Sequence, residues 1–185
     1  MGVGPVAVAL VDALSTAGIP CAIGGALALG VWGYPRGTTD VDLNAFVFDD
    51  AYGHLLDVLA AAGCHFQRER ALAQAHDGDT VVMQHGPWRV DVFVPTIPFY
   101  ELAQRRVRMA TFRSRSLPFL DPESLAVFKL LFFRGKDRID LEHLVAAARS
   151  DLDHAWVRAQ IVDMLGDDDP RVPEWDRIVR EHGGG

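Results

Sequence analysis

A run of 23 residues without a single charge, from Ala13 to Pro35, limits most tightly what this chain can fold into. It is long enough for a helix to cross a bilayer, since about 20 apolar residues span the hydrocarbon layer. Glycines at 18, 24, 25, 30 and 33 and prolines at 20 and 35 interrupt it, together with Ser15 and Thr16. An apolar segment punctuated this way reads as a helix end, a short strand, a turn and a second helix inside a globular core. A soluble protein with no membrane partner is expected.

The flanking segments fit that reading. Residues 5–17 carry apolar side chains at Val6, Val8, Leu10, Val11 and Leu14, with Gly18 at a helix stop. Residues 19–23 form a short apolar run, and Ala26 to Leu29 are good helix formers. Residues 40–48 (DVDLNAFVF) alternate, with Val41, Leu43, Ala45 and Val47 on one face, and predict a strand. A helix over 51–62 ends at Gly63. Residues 80–84 and 88–94 flank His85-Gly86-Pro87 as a hairpin. A helix is predicted from Pro98 to Arg108 and a last short strand over 117–120. Asp121-Pro122-Glu123 supplies a capping carboxylate, a first-turn proline and a first-turn acid, so a helix is expected to run from there to about Arg134. Residues 137–149, 151–165 and 173–182 read as further helices. The order predicts an α+β fold: a mixed core over 1–120, followed by a C-terminal helical segment over 121–185 that packs on it.

Composition narrows the function. The net charge of −7 and pI near 5.4 have the wrong sign for a chain whose main task is gripping a phosphate backbone, although a local basic groove stays open. Cys21 and Cys64 lack CxxC spacing, and the N-terminus lacks a basic leader, with Asp12 ending the apolar run from Val6 to Val11. Reduced thiols and a cytoplasmic location are expected. The seven histidines show no HExxH, no GxxxxGK[ST] is present, and no serine sits in a nucleophile elbow. Asp77-Gly78-Asp79 reads as a turn and Asp167-Asp168-Asp169 as a solvated loop.

Chemistry concentrates at Asp40-Val41-Asp42. On a strand, residues i and i+2 share a face, so both carboxylates project together. Like charges side by side are costly unless a cation lies between them, and Mg²⁺, which takes oxygen ligands, is the natural one. Gly24-Gly25, with fourteen residues between Gly25 and Asp40, stands between a predicted strand and helix, where backbone amides can approach phosphate oxygens. Asp91 lies mid-strand among apolar neighbours, and an aspartate buried there needs a partner. If its strand lies beside that of Asp40 and Asp42, the three acids make a two-metal site. Arg36, on the loop before Asp40, is a candidate for gripping phosphate bidentately. Lys129 lies on a helix apolar nearly all round, so it must either reach water or meet an anion.

Gly24-Gly25, the segment Tyr34-Pro35-Arg36-Gly37-Thr38-Thr39-Asp40-Val41-Asp42-Leu43 and the later Asp91 together resemble the nucleotidyltransferase superfamily of the DNA polymerase beta type. Within it the chain is most similar to small bacterial members grouped with the AbiEii-type abortive-infection toxins of toxin–antitoxin systems. Lys129, Arg134-Gly135-Lys136-Asp137 and Asp140-Leu141 match that group's later motif, and the likeness covers residues 19–145. It implies a nucleotidyltransferase-like mixed β-sheet flanked by helices. The implied reaction is Mg²⁺-dependent transfer of a nucleoside monophosphate from an NTP to an acceptor hydroxyl, releasing pyrophosphate. Two Mg²⁺ ions are expected, with Mn²⁺ an alternative. Asp40, Asp42 and Asp91 would be metal-binding and catalytic, and Gly24, Gly25, Arg36 and Lys129 would face the nucleotide. The acceptor is left open among tRNA or other RNA, a protein and a small molecule. The competing reading is a catalytically silent nucleotide- or metal-binding module, regulatory or toxin-like, acting through a partner.

Overall fold

A computed structural model describes residues 2–78, 80–148 and 151–183. Asp79 of the predicted turn, Ser150 and the terminal Gly184-Gly185 lie outside the described residues. The chain divides into two units. The first holds the residues up to Leu27 together with Gly37–Leu120, and the second holds Ala28–Arg36 with Asp121 onward.

The first unit is built on a mixed six-stranded sheet: β1 (Cys21–Ile23), β2 (Asp40–Ala45), β3 (Val81–His85), β4 (Trp88–Phe93), β5 (Arg108–Phe112) and β6 (Arg115–Phe119). Their spatial order is β3-β4-β2-β1-β6-β5. The β2–β4 and β1–β6 pairs are parallel, and β1–β2, β3–β4 and β5–β6 are antiparallel. The predicted alternation on β2 holds: Val41, Leu43 and Ala45 are fully buried. Ile23 is in register with Leu43 on one side and with Phe119 on the other, so both extend the same face. Helix α1 (Val3–Thr16) packs on β1, β2 and β6 through Val6, Ala7, Leu10, Val11 and Leu14, a two-per-turn stripe. It ends where Gly18 takes a left-handed φ of 71° and donates its N–H to Ser15. Helix α3 (Tyr52–Ala61) packs on α1 and on α4 (Arg68–His76). The opposite face of β2 carries Asp40 and Asp42.

Three elements depart from the sequence reading. The helix expected from Pro98 to Arg108 is α5 (Phe99–Arg105) and stops three residues early, because Arg108 opens β5. The hairpin β5–β6 turns through Arg113 and Ser114, both left-handed at φ 50° and 62°, the conformation that a two-residue primed turn demands. Helix α4 was not expected.

In the second unit, α6 (Pro122–Phe132) starts as predicted: the Asp121 side chain accepts the Ser124 N–H at 3.1 Å, with Pro122 in the first turn. It closes at Phe133, left-handed at φ 53°, close to the expected end near Arg134. It is followed by α7 (Gly135–Ala148), α8 (His154–Leu165) and α9 (Arg171–His182). The buried Trp175 donates its indole N–H to the His154 carbonyl at 3.1 Å. Helix α2 (Gly25–Val31) begins in the first unit and ends in the second. Among the described residues, no helix is long and apolar enough to cross a membrane.

Candidate active site

Strands β2 and β4 run parallel in a register that sets Asp42 opposite Asp91 and Asp40 opposite Arg89. Alternation then puts Asp40, Asp42, Arg89 and Asp91 on one face of the sheet. This is the face opposite the buried Val41 and Leu43. The strand adjacency expected for the three acids is present.

Each carboxylate is turned toward a different partner. Asp40 Oδ1 accepts the Thr39 hydroxyl at 3.1 Å, and the Thr38 hydroxyl accepts the Asp40 N–H at 3.1 Å. The Asp42 carboxylate lies against Gly25: a Cβ added to Gly25 would stand 1.8 Å from Asp42 Oδ2. Gly25 also has φ +54°, so conformation and space both select glycine there. Gly24 is constrained differently. Its N–H donates to the Asp42 carbonyl at 2.9 Å, and a Cβ would meet the buried Asn44 amide at 2.8 Å. Asp91 Oδ1 accepts the Arg89 Nε–H at 2.7 Å.

Arg89 is the residue that sequence reasoning missed. The need of Asp91 for a partner was legible, and Arg89 stands two residues before it, the spacing that shares a strand face. Its basicity is raised by the hydrogen bond to Asp91, opposed by desolvation, and reinforced by the charges of Asp91, Asp40 and Asp42. Among the described residues, no three acidic, histidine or cysteine side chains stand close enough to share one ion. In type, however, the donors suit a hard divalent cation: three carboxylates on one sheet face, one of them cradled against a glycine that no side chain could replace.

Arg36 and Lys129 belong to the second unit, and both engage Asp140. Arg36 grips it bidentately, Nε to Oδ1 at 2.9 Å and Nη2 to Oδ2 at 3.0 Å. Lys129 Nζ donates to Asp140 Oδ2 at 2.6 Å and lies 3.7 Å from Asp137 Oδ1. Arg134 in turn donates its Nε–H to Asp137 at 2.6 Å. The side chains of Lys129, Asp137 and Asp140 are 7%, 2% and 4% exposed. The anion that Lys129 meets is therefore Asp140, and contact with a phosphate would require Asp140 to release a cation. Burial pushes the Asp140 carboxyl up, but hydrogen bonds from Arg36 and Lys129 and their charges outweigh it and hold it below its ordinary value. Asp140 was legible only as part of the resemblance, since its partners are far away in sequence.

No protein-family model matches the chain, and no curated protein matches it. Solved structures do. The crystal structure of ANT(2'')-Ia in complex with adenylyl-2''-tobramycin superposes with a TM-score of 0.54 at 14% identity, covering 96% of this chain and 98% of that one. An antigenic nucleotidyltransferase-like protein from Paracoccidioides brasiliensis gives 0.50 at 16% identity, covering 92% and 93%. The chain has the nucleotidyltransferase fold.

Proposed function

We propose that this chain is a metal-dependent nucleotidyltransferase that moves a nucleoside monophosphate from an NTP to an acceptor hydroxyl. The observation that carries the reading is the register of Asp42 with Asp91 on adjacent parallel strands, with Asp40 on the same face and Gly25 fitted against the Asp42 carboxylate. Asp40 and Asp42 would hold Mg²⁺ or Mn²⁺, with Asp91 completing the set. A divalent ion bound there draws charge from the transferring phosphoryl group and the leaving pyrophosphate. The chain supplies the rest. Gly25 keeps bulk away from the Asp42 carboxylate and Gly24 adds none beside it, so a triphosphate can approach the backbone. Asp91 orients the acceptor hydroxyl and takes its proton as the new oxygen–phosphorus bond forms and the bond to pyrophosphate breaks. Arg36 and Lys129 are assigned to holding Asp140 rather than to the donor phosphates.

The test is incubation with each α-labelled NTP, Mg²⁺ and one of three acceptor pools: RNA, protein or small molecules from a cell extract. ANT(2'')-Ia was solved with an adenylylated small molecule, which puts that pool first. The reading expects label in one pool, lost in Asp42→Asn. Absence of label from all three, together with no NTP-induced rise in melting temperature, overturns it.

A further inference from the structure

Among the described residues of β2 and β4, one basic side chain, Arg89, shares the face of the three acids. Arg89 is opposite Asp40 on β2 and two residues from Asp91 on β4. Its Nε–H lies 2.7 Å from Asp91 Oδ1, and Asp40 and Asp42 share its face of the sheet. The Asp91 side chain is 15% exposed and that of Arg89 is 47% exposed. The pair is thus rooted in the sheet at the carboxylate end and free to move at the guanidinium end, because an arginine stem can swing its head into water at little cost. The other strand beside β4 offers no competing charge: Gln84 is the register partner of Arg89 and Val82 that of Asp91.

We propose that Arg89 is a built-in counter-ion that guards Asp91, so that a divalent cation must displace its guanidinium before Asp91 can act, and that the displaced guanidinium then contacts the NTP phosphates. This rests on the nucleotidyltransferase reading and adds a residue to it. The physics has two opposite signs. Before nucleotide arrives, a fixed positive charge beside the acids opposes a second cation, and the hydrogen bond to Asp91 must be broken. Once a triphosphate is present, the same charge stabilises it, as guanidinium groups do for phosphate oxygens. Arg89 therefore lowers metal affinity and raises nucleotide affinity. A purely structural arginine would, on removal, weaken both.

The experiment is a Mn²⁺ titration of the full chain, read by the paramagnetic resonance of free Mn²⁺ without nucleotide. It is followed by an ATP titration at saturating Mn²⁺. Arg89→Gln is expected to bind Mn²⁺ about three- to tenfold tighter and ATP several-fold weaker, while Arg89→Lys, which keeps the charge but not the fork, falls between. Thermal unfolding of each variant checks that the face is intact. If Arg89→Gln does not fold, Arg89→Lys carries the test through the same two signs. Where the wild type binds Mn²⁺ and Asp42→Asn does not, an Arg89 variant that binds Mn²⁺ no tighter overturns the guard while the proposed function stands. Tighter Mn²⁺ binding without weaker ATP binding overturns the phosphate contact. If neither the wild type nor any Arg89 variant binds Mn²⁺, the guard falls, and the proposed function falls with it only if ATP also fails to bind in the presence of Mn²⁺.

Discussion

Replacing Asp140 with leucine should damage the second unit severely, and a second substitution should repair much of that damage. Asp140 takes two hydrogen bonds from Arg36 and one from Lys129 while its side chain is only 4% exposed. Removing it strands the Lys129 ammonium, 7% exposed, with only Asp137 at 3.7 Å. Breaking one side of a buried pair costs about 3–5 kcal/mol, chiefly because the remaining charge loses its compensation. Arg36 contributes less to the loss, since its side chain is 34% exposed and can turn to water. For a chain of this size each kcal/mol moves the melting temperature about 2–4 °C, so Asp140→Leu should melt roughly 6–20 °C early. Lys129→Met is milder, about 1–2 kcal/mol, because Asp140 keeps its bidentate arginine. In Lys129→Met/Asp140→Leu no buried charge is left stranded, and the double variant should be more stable than Asp140→Leu by about 2 kcal/mol or more. Urea unfolding followed by tryptophan fluorescence reads this directly, since Trp175 is buried in the same unit. A double variant as unstable as the sum of its parts would refute the account, because the cost would then be lost packing rather than a stranded charge.

Three further outcomes are expected. Gly25→Ala, forced to φ +54° and into the Asp42 carboxylate, should cost about 1–3 kcal/mol or more and abolish the thermal shift with Mg²⁺ and ATP. Gly18→Ala, at φ +71° with open space around it, should lose only about 1 kcal/mol and keep the shift. Because the folded Asp140 carboxyl sits below its ordinary value near 3.8, its stabilisation is fully present above that value and disappears as pH falls from there through the folded value. The urea midpoint of Asp140→Asn, followed from about pH 5 to about pH 2, should decline less steeply than that of the wild type. Burial pushes the Cys21 thiol up to about 12 and Cys64 to about 11, so at pH 8 both should react with a disulfide reagent at least about a hundredfold slower in the native protein than in urea. Native labelling at the unfolded rate would contradict the burial of either one.

What was legible in the sequence follows from where its signals are generated. Strand β2 could be read because one face is fully buried and the other carries acids, so its alternation is steep. Helix α6 could be read because Asp121 and Pro122 act locally, within one turn. Strand β5 could not: it is an edge strand whose five residues are exposed or half-buried, so no apolar alternation marks it, and Arg105 and Arg106 extend the helical look of the segment before it. Helix α4 buries only Ala71 and Ala75, one helical turn apart and too small to give a strong period. At the site, the acids and glycines were visible as residue types at telling spacings. The pairing of Arg89 with Asp91 needed only strand periodicity. The commitment of Arg36 and Lys129 to Asp140 depends on the packing of separate segments, which no local pattern encodes.

The sheet order has a consequence for how the chain assembles as it leaves the ribosome. Strand β1 gains its antiparallel neighbour β2 early, Cys21 opposite Ala45, but its parallel neighbour β6 only when Phe119 reaches Ile23. The half-sheet β3-β4-β2-β1 is complete once Phe93 has emerged, and until the β5–β6 hairpin follows, the growing sheet ends in an open edge at Cys21–Ile23. Open edges invite pairing with other chains, and non-local pairing is slow because the intervening loop must close first. Two features shorten the hazard. The exposed edge is only three residues long, and the hairpin that covers it is a local element able to form on its own in microseconds before docking. At about 5–20 residues per second, synthesis of the segment from Phe93 to Phe119 takes seconds, so elongation rather than closure of the left-handed Arg113-Ser114 turn sets how long the nascent sheet stays unsealed.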